Sequence, residues 1–421
     1  MSRFVFFSLL SCATLLTGCG PLPVRFPVAE TVQPPSSAEA CAAPAPCPSC
    51  PPCPSCPVCP PSPSETVKAA EPSLQPAQWS DLPDWLSDEL LPVFIAFRDS
   101  CRILQSQPRW HAVCTAARSA NVGNEAEARA FFEAQFTPWA VLAGDGARSG
   151  LVTGYYEPLL RGSRQRKPPY TVPVFGPPED MIVVDLASVY PELKSLRLRG
   201  RLEGRRLVPY YARAEWNRIE RERQNEAILW LDDMVDFFFM QIQGSGQVRL
   251  DDGTRIRLGY ADQNGHPYRS VGRWLIEQGE LKAEQASMQG IRAWVHANPG
   301  RLQELLEVNP SIVFFRELPA EGSGPPGALG VPLQPGRSIA IDPRFIPLGA
   351  PVYLATTWPN EARPLRRLML AQDTGGAIRG APRADFYWGS GDQAGELAGR
   401  MRQQGSQWVL LPRSWPPGEK P

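Results

Sequence analysis

The stretch AQDTGGAIRGAPRADFYWGSG, residues 371–391, sets two aspartates, Asp373 and Asp385, among five glycines and three consecutive aromatic residues. A carboxyl that is to give up a proton near neutral pH must be held well above the aspartate reference of about 3.9. Burial does this, and so does a second negative charge close by. Phe386, Tyr387 and Trp388 offer apolar cover to Asp385, and Asp373 is the obvious charged neighbour. Gly375 and Gly376 can take positive φ and leave backbone N–H groups open to a close ligand, although a tight corner would use them equally well. A third acid, Asp342 in IAIDPRFIPLG, is expected to bond backbone amides in the turn before Pro343. Aspartates before Gly or Pro commonly do no more than cap turns. Asp385 escapes that reading best, because ADFYWG is an apolar-aromatic run.

Such side chains need a rigid frame. With 421 residues, 43% hydrophobic and 20% charged, the chain can build one large domain or two ordinary ones. Lys+Arg and Asp+Glu both number 43, so no global field recruits nucleic acid or an acidic surface. His111, His266 and His296 each stand apart from any paired His or Cys, so neither a histidine-built metal site nor a cofactor is expected. Residues 79–134 read as helical, with Leu86, Leu90, Leu91, Phe94, Ile95, Phe97 and Leu104 at helical spacing and Ser87 as N-cap. After Gly144, short alternating runs such as GLVTGYYEPLL, RSIAIDP and APVYLATTW are separated by Gly and Pro, as in barrels or sandwiches. Helical character returns between about 263 and 308. The segment 197–223 is locally basic, but Glu203, Glu215, Glu220 and Glu222 interleave, as on a solvated hairpin and helix face. The expected body is mixed α+β, dominated by strands, in two domains.

The N-terminus reads differently. MSRFVFFSLLSCATLLTGCG carries a basic Arg3, an apolar stretch too short to span a bilayer, and the ending Leu16-Thr17-Gly18-Cys19. That ending resembles a lipoprotein lipobox, which implies a signal peptide over 1–18 and acylation of Cys19. Residues 19–78 are rich in Pro, Ala and Ser and cannot bury enough surface to fold alone. Within them Cys47, Cys50, Cys53, Cys56 and Cys59 recur every third residue, which is one turn of polyproline II. A stiff rod keeps such thiols from converging on zinc, so disulfides or an inert spacer are expected. With Cys41 there are six tether cysteines. Cys101 and Cys114 stand apart as a plausible structural disulfide.

GYYEPLL (154–160), DFFFMQIQGSGQVRLDDG (236–253), GYADQNGHPYRSVGRWLIEQGE (259–280), NPSIVFF (309–315), GVPLQPGRSIAIDPRFIPLGAPVY (330–353) and the 371–391 stretch run in order along the chain. Together they resemble the membrane-bound lytic murein transglycosylase A family over roughly residues 80–415. The last two blocks resemble its three-aspartate (3D) domain, here Asp342, Asp373 and Asp385. The resemblance implies a double-psi β-barrel with N-terminal helices, built from residues 79–172 and 320–415. A smaller β-barrel-like domain, 173–319, is inserted between them, and a glycan groove lies where the two meet.

The implied reaction cuts the β-1,4 bond between N-acetylmuramic acid and N-acetylglucosamine in peptidoglycan and leaves a 1,6-anhydro end. Because the substrate supplies its own nucleophile, one carboxyl suffices. By its place in the motif that residue is Asp385, with Asp373 in an orienting or electrostatic role and Asp342 structural. Groove candidates are Tyr155, Tyr156, Gln241, Gln243, Ser245, Gly246, Gly375 and Gly376, since aromatic faces stack on sugars and amides bond hydroxyl and N-acetyl groups. Glu157 reads as a solvated extra acid, and Tyr268 and Arg269 as holding the inserted domain or touching substrate. The implied partners are peptidoglycan strands, the outer membrane through the lipid anchor, and a cell-wall synthesis complex, with the body facing the periplasm. Three other readings stay open: a wall-binding lipoprotein without catalysis, a hydrolytic muramidase using Asp373 and a water, and a structural tether.

Overall fold

A computed structural model of the chain describes residues 73–319, 322 and 324–415. The lipobox at Cys19, the proline-rich tether and its cysteine ladder lie outside the described residues.

Strand β1 (Ser73–Pro76) leads into helices α1 (Leu91–Leu104), α2 (Pro108–Ser119) and α3 (Glu125–Gln135). The sequence assigns the cap of α1 to Ser87, but the helix starts at Leu91. Pro92 explains the shift, because a proline is tolerated in a first turn and would break a helix begun at Ser87. The free amides of Leu90 and Leu91 donate instead to Glu125 Oε2, at 2.5 and 3.1 Å. Val93, Phe94, Phe97, Cys101 and Leu104 form the buried stripe, while Leu86 and Ile95, counted in it by spacing, are exposed. The expected disulfide between Cys101 and Cys114 joins α1 to α2.

Strands β2 (Phe136–Leu142) and β3 (Ser149–Glu157) follow. Pro158 ends β3, and the chain crosses into a second sheet at β4 (Leu159–Ser163), upstream of the expected boundary at 173. Next come β5 (Val172–Phe175), the small sheet β6 (Ile182–Val183), β7 (Arg199–Glu203) and β8 (Arg206–Pro209), and helix α4 (Arg213–Ile219). Then follow β9 (Ala227–Leu231), α5 (Met234–Gln243), β10 (Ser245–Leu250) and β11 (Arg255–Gln263). Helices α6 (Val271–Glu277), α7 (Met288–Ala297) and α8 (Leu302–Glu307) precede β12 (Val313–Leu318). The second sheet runs β12-β11-β10-β4-β9-β5, and its two edge strands come back into contact, which makes it barrel-like.

The C-terminal part supplies β13 (Ser338–Ile341), β14 (Pro351–Thr357), β15 (Pro364–Thr374), β16 (Ala384–Ser390), α9 (Asp392–Arg400) and β17 (Arg402–Pro412). These strands take up β3 to close a six-strand ring, β3-β16-β13-β15-β14-β17 and back to β3. All four residues of β13 are buried, as expected of a strand covered on both faces. The fold is thus the mixed α+β class with a closed barrel. Among the described residues no helix is long and apolar enough to cross a membrane.

Candidate active site

Strand β13 lies between β15 and β16, and its Ala340 pairs with Asp373 on one side and Asp385 on the other. Regular parallel pairing from Ile339↔Ala371 would set Gln372 beside Ala340; a β-bulge brings Asp373 there instead. Gln372 turns into the core, where its Nε2 donates to Ser100 Oγ at 2.9 Å and its Oε1 accepts from Ser338 Oγ. One extra residue in β15 therefore decides which side chain reaches the cleft.

Asp385 pairs across β3 with Thr153, whose hydroxyl donates to its Oδ1 at 2.6 Å. Thr153 Oγ1 in turn accepts from Arg383 Nη2 at 2.8 Å. A guanidinium only donates, so the threonine hydrogen is committed to the aspartate. A proton carried by Asp385 therefore belongs on Oδ2. Burial pushes this carboxyl up, against the charge of Arg383 and the bond from Thr153, and the net shift is upward. The side chain keeps one face on the cleft while protein encloses the rest. The aromatic cover foreseen for it is only partly available. Strand alternation turns Phe386 and Trp388 to the opposite face, where their rings meet at 4.6 Å, and only Tyr387 shares the face of Asp385.

Asp373 is held by three donors: the amides of Ala328 and Thr374, each 2.9 Å from Oδ1, and the Tyr155 hydroxyl, 3.0 Å from Oδ2. Burial outweighs these bonds, with a smaller push from the charge of Asp385, and its carboxyl is also raised. The same surroundings, burial first and the two aspartates next, lift the Tyr155 hydroxyl far above its ordinary value. Asp342 is arranged differently. Burial opposes its charge, but the Arg344 guanidinium and the amides of Gly380 and Arg344 prevail and hold it below the usual range. Gly380 sits at φ +83°, which lets its N–H reach Asp342 Oδ2 at 2.8 Å and closes the 375–380 loop.

The cleft encloses about 1040 Å³ of empty space, open to solvent. Of the residues singled out by sequence, Asp373, Asp385, Tyr155, Gln241, Gln243, Gly375, Gly376 and Tyr268 line it. Neither Gly375 nor Gly376 uses the positive φ open to it; the space a side chain would take at Gly376 is empty. Tyr156 lines an adjoining hollow and packs its ring against Gly395 and Ala398 of α9, while its N–H donates to Gln243 Oε1 at 3.0 Å. Ser245 and Gly246 do not reach the cleft. They open β10, and a side chain at Gly246 would strike Met240 Sδ at 2.5 Å.

Glu157 is the clearest correction. It is fully buried rather than solvated, takes Arg257 Nε at 2.7 Å and Gln247 Nε2 at 2.9 Å, and so ties β3 to β10 and β11. The basic segment 197–223 forms the expected hairpin and helix, but Arg199 pairs with Asp262 and Arg213 is buried. Thr153, Arg383, Ala340 and Arg213 were not singled out by sequence. Only Arg383 left a signal, standing two residues from Asp385, just ahead of β16, where extended alternation turns both side chains the same way.

Residues 151–316 match the family model described as the MltA specific insert domain, and residues 337–411 match the 3D domain. Membrane-bound lytic murein transglycosylase A of Escherichia coli K12 is 33% identical over 279 residues, covering 65% of this chain and 68% of that protein. The crystal structure of MltA from Neisseria gonorrhoeae is similar at TM-score 0.72 and 39% identity, covering 84% of this chain and 99% of that one. E. coli MltA with bound chitohexaose is similar at TM-score 0.57 and 26% identity, covering 83% of this chain and 98% of that one.

Proposed function

Because this chain belongs to the membrane-bound lytic murein transglycosylase A family, we propose that it cleaves the MurNAc–GlcNAc bond of peptidoglycan and releases a 1,6-anhydromuramic end. The observation that carries the reading is the setting of Asp385: a cleft-facing carboxyl raised by burial, with Oδ1 taken by the Thr153 hydroxyl and Oδ2 left to carry a proton. In the first half of the reaction Oδ2 gives that proton to the glycosidic oxygen. In the second it takes one from the C6 hydroxyl as that oxygen closes on the anomeric carbon. Asp373, two strands away, accepts three hydrogen bonds that favour its charged form against the one at Asp385, fixes Tyr155, and when ionised sets negative charge against the oxocarbenium-like transition state.

A hydrolase would need Asp373 to activate a water, yet two amides and a hydroxyl already draw on its lone pairs and weaken it as a base, leaving one acceptor site on Oδ2. That favours the intramolecular route. The chitohexaose bound by the E. coli relative supports an N-acetylated glycan as ligand of this cleft. We read the barrel and the second sheet as the two walls of that groove, and Cys19 as an outer-membrane lipid anchor. Mass spectrometry of digested sacculi tests the activity. Anhydro ends are expected, and reducing ends or no products would overturn it. Asp385→Asn should abolish cleavage while retaining glycan binding. Metabolic palmitate labelling, lost in Cys19→Ala, tests the anchor.

A further inference from the structure

Arg213 is 6% exposed and sits directly behind the cleft wall. Its Nε donates to the carbonyl of Asn309 at 2.9 Å, and its Nη2 donates to Gln241 Oε1 at 2.6 Å and to the carbonyl of Ser311. Its own backbone amide bonds Pro310 O at 3.1 Å. Gln241, Asn309 and Ser311 all line the cleft, so one guanidinium gathers three wall residues from the rear. None of these bonds goes to a carboxylate. The charges of Glu220 and Glu307 offset part of the cost of its burial, and the neutral acceptors fixed around it satisfy its donors.

The consequence for Gln241 follows from donor chemistry alone. A guanidinium has no acceptor, so the glutamine atom facing it must be the carbonyl oxygen. The amide nitrogen is thereby turned away from Arg213, and it has no hydrogen-bond partner among the described residues. We propose that Arg213 is a positioning residue for glycan recognition, holding the Gln241 NH2 toward the cleft to donate to an N-acetyl carbonyl of the substrate. An NH2 cannot accept, and the amide carbonyl is the acceptor-only group that every ring of the glycan repeats. The inference rests on the glycan reading above and adds which atom of the wall selects for acetylation.

Calorimetry on the full chain in the Asp385→Asn background tests it, with chitohexaose and the glucosamine hexamer as probes. Gln241→Glu keeps an acceptor for Arg213 but removes the NH2. It should weaken chitohexaose binding about tenfold and collapse the preference for the acetylated hexamer. Arg213→Met should cost about the same, and the combination should lose no more than either alone. Unchanged affinity, an unchanged acetyl preference, or additive losses would overturn the proposal. Should Arg213→Met fail to fold, Gln241→Glu decides by itself. Sacculus digestion by the unaltered protein tests the activity separately, so its failure is not confused with a failure at Gln241.

Discussion

Replacing Arg257 by leucine puts the buried ion pair to a quantitative trial. Glu157 is 0% exposed and the Arg257 side chain 3%, and they share bonds at 2.7 and 3.3 Å. In Arg257→Leu the carboxylate keeps only Gln247 Nε2, at 2.9 Å, as a side-chain donor among the described residues. Removing one partner of such a pair costs about 3–5 kcal/mol, because the remaining charge is left uncompensated inside the protein. An exposed pair would lose about 0–1 kcal/mol. The two cases are separable by melting, since each kcal/mol moves Tm by about 2–4 °C in a domain of 150–250 residues. Arg257→Leu should therefore lower Tm by about 10 °C at pH 7. Glu157→Met with Arg257→Leu should recover much of that, because no lone charge remains. A loss near that of an exposed pair, or a double variant no better than the single one, would refute the reasoning.

Asp385 has a folded carboxyl raised above the reference of 3.8, so the folded state holds that proton more tightly than the unfolded chain does. The stabilisation is complete below the unfolded value and is lost as pH rises through the folded one. Asp385→Asn should accordingly melt higher than the parent at pH 7 and show no advantage near pH 3, by calorimetry. Thr153→Val removes a bond that favours the charged form, so the alkaline limb of the cleavage profile should move to higher pH. Turnover should also fall about fivefold to tenfold as the proton loses its fixed oxygen; an unmoved limb would count against the relay. Replacing Cys101 and Cys114 by alanine opens a crosslink spanning a separation of 13 residues and should cost about 3 kcal/mol, read in denaturant melts.

Much of this molecule can be read before it folds. Periodicity locates α1–α3, α6–α8 and most strands, since the facing of a helix or strand is written in local spacing. The ordered blocks and their three aspartates identify the family, and Asp385 stands out among the carboxyls because turn-capping does not suit its apolar run. Misreadings arise where a neighbour distant in sequence decides. Ser87 yields its cap to Glu125 from another helix. Ser245 and Gly246 share a block with Gln241 and Gln243, yet they enter a strand packed on Met240.

Residue order along an extended segment fixes which side chains share a side, and so Arg383, just ahead of β16, and Asp385 belong together by sequence alone. What sits on the adjoining strand depends on register, and register is a property of pairing between segments far apart in the chain. The bulge that sets Asp373 rather than Gln372 beside Ala340, the threonine hydroxyl that occupies one oxygen of Asp385, and the burial of Glu157 and Arg213 all come from such pairings. Desolvation and hydrogen-bond direction depend on what lies across a gap in space, and only the folded chain brings those groups together.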